Sequence, residues 1–172
     1  MRAITVLCLV AVFNSMLSAG QRPVVQRAYA DDKQVVHLVT ADGHDRRIAP
    51  EKGQAGVERI QVAADGKTVG WLVDNWQSCC QSYPLPTKLV LWRSGRVLRR
   101  MDTGRPCWGW VFENDGEELA YRTSFTHGGW SGESTLIDVA SGKTLASWSH
   151  PVDQNGNDTD GEEPPDWAKL IP

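Results

Sequence analysis

The sequence lacks most of the features that would narrow its function. It has no basic excess, since its formal charge is −3, and so no surplus of cations to grip phosphates; a nucleic-acid partner is disfavoured. Past Phe13 there is no apolar run approaching the length of a membrane span, and helical periodicity is nearly absent. Catalytic signatures are missing too. There is no phosphate-binding glycine loop, no Cys-x-x-Cys and no histidine pair at metal-ligand spacing. The near match to Gly-x-Ser-x-Gly at residues 129–133 ends in Glu133 where a nucleophile elbow has glycine. No cofactor and no metal are expected.

What the chain has instead is turns and aromatics. It carries 16 Gly, 9 Pro and 8 Trp among 172 residues, a composition suited to short strands joined by tight turns. With 41% hydrophobic and 23% charged residues it can build one domain with a real core. Residues 1–20 form a separate element. Arg2, the apolar run from Ile4 to Phe13 and the small polar stretch from Ser15 to Gly20 follow the pattern of a secretory signal, cleaved after Gly20 or Ala19. The run is too short to cross a bilayer, and Cys8 within it is filler. The expected product is a soluble secreted or periplasmic chain in an oxidising compartment.

A repeat of about fifty residues organises the middle of the chain. Residues 60–71, Ile-Gln-Val-Ala-Ala-Asp-Gly-Lys-Thr-Val-Gly-Trp, align with residues 110–121, Trp-Val-Phe-Glu-Asn-Asp-Gly-Glu-Glu-Leu-Ala-Tyr. Each copy predicts strand, Asp-Gly turn, strand, with both central residues of the turn at positive φ. A second hairpin follows each copy, with turns at Ser94-Gly95 and Ser141-Gly142. Upstream, Val35 to Thr40, Asp42-Gly43 and Arg46 to Ala49 match that second hairpin alone. The expected organisation is a linker over 21–34, an all-β domain over 35–150 built of antiparallel four-stranded blade-like meanders, and an acidic tail over 151–172.

These residues resemble a known family. The Asp-Gly-centred cores at Asp65–Trp71 and Asp115–Tyr121, with the Leu-Ile-Asp-Val-Ala-Ser-Gly-Lys hairpin at 136–143, look like the WD-like repeats of TolB-type β-propellers across about residues 35–150. The resemblance implies architecture and is nearly silent on activity. The chain departs from the family pattern where Ala63-Ala64 and Glu113-Asn114 replace Ser-Pro. Two and a half blades do not close a ring, so an incomplete propeller or an open blade stack is expected, with free edges that favour a homo-oligomer.

In such meanders the Asp-Gly and Ser-Gly turns share one end, and the long loops 75–87 and 124–134 share the other with the connection 101–106. Binding residues concentrate on long loops over a rigid scaffold. Trp76, Tyr83, Arg105, His127 and Trp130 map there and are the candidate binding residues for a protein or glycan. Trp71, Trp92, Trp108, Trp110 and Trp148 lie in strands and are expected to pack between blades. Cys79, Cys80 and Cys107 also map to the long-loop end, where Cys80–Cys107 is the favoured bridge over Cys79–Cys107. Closing that loop would stabilise by about 3.5 kcal/mol on the chain-entropy model.

The stretch Asp153 to Glu163 has no apolar residue and reads as a solvated linker. Neither calcium-loop register fits it. Beyond it, Trp167, Leu170 and Ile171 are expected to dock back on a blade. The leading functional expectation is a non-enzymatic binding module. The alternatives are a small serine-type hydrolase using the 127–131 loop, with Ser131, His127 and Asp74 as its triad, and a purely structural self-associating module.

Overall fold

The computed structural model of the protein describes residues 24–76, 82–125, 132–149, 151 and 163–172. Its strands form three antiparallel sheets, each a simple meander in chain order and none closed into a barrel. The first holds β1 (Val25–Ala30), β2 (Val36–Thr40) and β3 (Asp45–Ile48). The second holds β4 (Gln54–Val62), β5 (Thr68–Asn75), β6 (Leu85–Arg93) and β7 (Arg96–Asp102). The third holds β8 (Cys107–Glu113), β9 (Glu118–Thr123), β10 (Glu133–Asp138) and β11 (Thr144–Ser149). The chain is thus an all-β open stack of blade-like sheets.

One boundary needs correction. Val25–Ala30, placed by sequence in a linker, is a strand paired with β2 from Val25↔Thr40 to Ala30↔Val36. Its mixed composition, Val-Gln-Arg-Ala-Tyr-Ala, and a bulge between Val25 and Arg27 blur the two-residue alternation by which a strand is read.

The turns follow local chemistry. Ser94 and Gly95, at φ 52° and 95°, join the paired Arg93 and Arg96 in a two-residue turn. Asp115 and Gly116 also take positive φ, 54° and 89°, and Glu117 N–H donates to Asn114 O at 3.0 Å. The earlier copy differs: there only Gly66 is left-handed, at φ 61°. The Asp65 carboxylate holds that turn instead, accepting from the N–H of Lys67 at 2.7 Å, the N–H of Thr68 at 3.0 Å and the Thr68 hydroxyl at 3.0 Å.

Alternation along the strands sends side chains to opposite faces, and the middle sheet uses both. Val69, Trp71, Val73, Val90 and Trp92 pack on Val25, Val36 and Leu38 of the first sheet. Leu72, Leu89 and Leu91 pack on Cys107, Trp110, Leu119, Ile137 and Val139 of the third. That is why every residue of Thr68–Val73 is buried. Trp110 is fully buried over Gly70, where a Cβ would lie 2.6 Å from its ring.

Trp71, Trp92 and Trp110 are interlayer residues as expected. Trp108 is not. It sits in a bulge between Cys107 and Gly109 that turns it away from the core, and it is exposed. At the C-terminus, α1 (Asp166–Lys169) docks on β9 and β10. Ala168 and Ile171 are its buried residues, Trp167 is half-buried, and Leu170, expected to dock, is exposed. Leu170 is the residue that ends the four-residue helix, and its side chain is left in solvent while that of Ile171 is buried.

Candidate binding surface

The end of the stack carrying β5–β6, β7–β8 and β9–β10 is held by a chain of hydrogen bonds. Asn75 Nδ2 donates to Thr87 Oγ1 at 3.3 Å. Thr87 O accepts from the Thr103 N–H at 2.9 Å. The Thr103 hydroxyl lies 2.6 Å from Arg105 O and 3.0 Å from Thr87 O. Ser124 N–H donates to Pro106 O at 3.2 Å, bringing the end of β9 against the start of β8. Gly104, at φ 68°, and its N–H bond to Asp102 Oδ1 at 2.9 Å make the sharp connection from β7.

This frame displays aromatic rings. Trp76 leaves β5 with 61% of its surface exposed, Tyr83 approaches β6 with 47%, and Phe125 follows β9 with 54%. The Arg105 guanidinium lies over the Phe125 ring, 4.3 Å from its centroid. Of the sequence candidates, Trp76, Tyr83 and Arg105 therefore share this end, and the two aromatics stand exposed at opposite ends of the β5–β6 connection. His127 and Trp130 lie outside the described residues. Phe125 was missed by sequence reading, although its place in the 124–134 loop beside a strand end was the available signal.

Cys107 carries a free thiol and is fully buried. Its S–H donates to Gly109 O at 3.5 Å, and burial pushes the thiol pKa up to about 12. Such a thiol is a packing group and a poor nucleophile. Cys79 and Cys80, its expected partners, lie outside the described residues.

Asp74 stands beneath the same rim, packed on the Cα of Gly56. Burial, with the charge of Glu58 second, pushes its carboxyl up to about 6, and among the described residues no donor reaches Oδ1. Ser131 and His127, its partners in the hydrolase reading, lie outside the described residues. Among the described residues no group of three or more His, Cys, Asp or Glu side chains is placed to hold a metal ion, and no helix is long and apolar enough to cross a membrane. No family model matches the chain, and no curated protein matches it.

Proposed function

We propose that the chain is exported and works as a non-enzymatic binding module, its blades being of the WD-like propeller type. Trp76, Tyr83, Arg105 and Phe125 form the contact surface, and the partner is a protein or glycan; His127 and Trp130, the other two sequence candidates, lie outside the described residues. The observation that carries this reading is the set of exposed rings, with a stacked guanidinium, on a hydrogen-bonded rim. Large rigid rings and arginine contribute most of the energy at recognition surfaces while losing little conformational entropy. Exposed Trp and Phe without a partner cost solubility, so their grouping at one end favours a recognition role.

The test is intrinsic tryptophan fluorescence titrated with soluble oligosaccharides, in parallel with cross-linking to extracellular protein. Trp76→Ala and Arg105→Ala are each expected to weaken capture about tenfold or more while leaving the melting temperature unchanged. Capture unaffected by either change would remove the surface. Labelling of Ser131 by a serine-reactive probe would replace the binding module with the hydrolase.

A further inference from the structure

By strand alternation Glu58, Leu72 and Asp74 share the face of the second sheet that is turned towards the third. Leu72 enters the core there, and Asp74 places a half-buried carboxyl at the end of the same row. Room for it is made by Gly56, its cross-strand partner, where a Cβ would lie 2.4 Å from Asp74 Oδ2. Gly56 has no left-handed backbone that would call for glycine, so what this position uses is the missing side chain.

The carboxyl is housed without being paired. Oδ1 is buried and meets no donor among the described residues. Opposite it on β6 stands Pro86, which has no N–H to offer. On β4 the charge of Glu58 repels a second negative charge, and Arg59, 3.9 Å from Glu58, makes no ion pair with Asp74. Lys88 pairs with Val73 and so lies on the other face. The titratable groups of the facing third sheet, Cys107 and Tyr121, are pushed up by burial and stay neutral. A buried carboxylate with no donor and a like charge beside it is the disfavoured form, and the neutral acid is the one this position takes.

Trp76 stands two residues beyond Asp74, and between them Asn75 ties β5 to β6 through Thr87 Oγ1 at 3.3 Å. We propose that Asp74 is a proton switch for the aromatic rim. When neutral it lies on Gly56 under the end of β5 and keeps Trp76 in place; when ionised it leaves for solvent and loosens that end of the strand from β6. Its bearing on recognition rests on the reading of the rim as the contact surface. The carboxyl is held at about 6 in the closed rim, against about 3.9 for a solvated aspartate. Closure is therefore fully favoured below the lower value, weakens as pH rises between the two, and stays weakened above the upper one.

The experiment follows the ligand-free full chain from about pH 4.5 to 7.5, titrating the Asp74 carboxyl by NMR and measuring amide exchange as protection factors. The carboxyl is expected to titrate near 6, and protection of the amides over residues 74–76 and 85–88 to fall about tenfold over the same interval. Asp74→Asn, which keeps the shape and cannot ionise, is expected to hold its protection throughout. Capture of the soluble oligosaccharides should weaken with rising pH in the natural chain and not in the variant. A carboxyl midpoint at or below about 4, protection that does not follow the titration, a loss that Asp74→Asn retains, or capture that ignores pH overturns the switch. Protection that follows the titration with no capture at any pH upholds the switch and removes the contact surface. If Asp74→Asn does not fold, Glu58→Gln is measured instead. It is expected to lower the midpoint and move the loss of protection with it, and protection that stays where it was overturns the proposal.

Discussion

At the scale of single residues, the outer face of the first sheet carries a proton-dependent contact. His37 is buried with Nδ1 2.8 Å from Asp45 Oδ2 and Nε2 3.4 Å from Asp31 Oδ2, and it stacks on Tyr29 at 4.8 Å. Neutral imidazole has one N–H, so two carboxylates are both satisfied only by the imidazolium. The bond to Asp45, partly opposed by burial and helped by Asp31, raises the His37 pKa above its ordinary value. A raised folded-state value means the stabilisation is complete below the unfolded pKa of about 6.5 and is lost as pH rises through the folded one. We expect an NMR titration of the ring to give a midpoint above 6.5, and thermal stability to fall over the same interval. Asp45→Asn should lower the midpoint further than Asp31→Asn, in keeping with the shorter bond. A midpoint at or below 6.5 would contradict the paired imidazolium. Nothing in the sequence marks the pair around His37, because its partners come from a loop six residues back and a strand eight residues on.

At the scale of elements, strand positions were legible where a turn and an apolar run coincide. The Asp-Gly and Ser-Gly punctuation placed β5, β7 and β9 within a few residues. The alignment of Gly70 with Ala120 shows what the repeat was conserving in space, a small residue at the same point of the second strand of each full meander. In the middle sheet that smallness is strict, because Trp110 and Leu91 fill the volume a side chain would take. Gly70→Val should therefore cost about 1–3 kcal/mol through overpacking, read as a lower midpoint in urea with an unchanged slope. An unchanged midpoint would mean that the second and third sheets separate without cost. Strand β1 escaped notice because its pairing depends on β2 and not on its own pattern.

At the scale of the whole molecule, the three layers are unequally protected. The second sheet is buried on both faces, while β3 and β11 are outer edges with largely exposed side chains. Backbone amides of β5 and β6 should exchange with deuterium last, and those of β3 and β11 first, since local opening follows burial. Equal rates in all three sheets would show that the stack opens as one unit. Arg46 of β3 donates to Gly95 O of the second sheet and Arg99 of β7 to Ala140 O of the third, contacts that were invisible in the sequence. Each is an edge-strand charge of the kind that blocks aggregation, and only its position opposite a turn carbonyl in the next sheet turns it into an interlayer contact.

The sequence by itself determined the class of element, the meander order and the turn sites, because strand alternation and left-handed turn chemistry are properties of neighbouring residues. It also determined which end of each meander bears the long connections, since that follows from strand parity. Tertiary structure alone decided the partners: the Asp pair around His37, the ring beneath Arg105, and which sheet the terminal segment docks on. Those contacts join residues that chain order separates, and only the distance left between packed layers selects them.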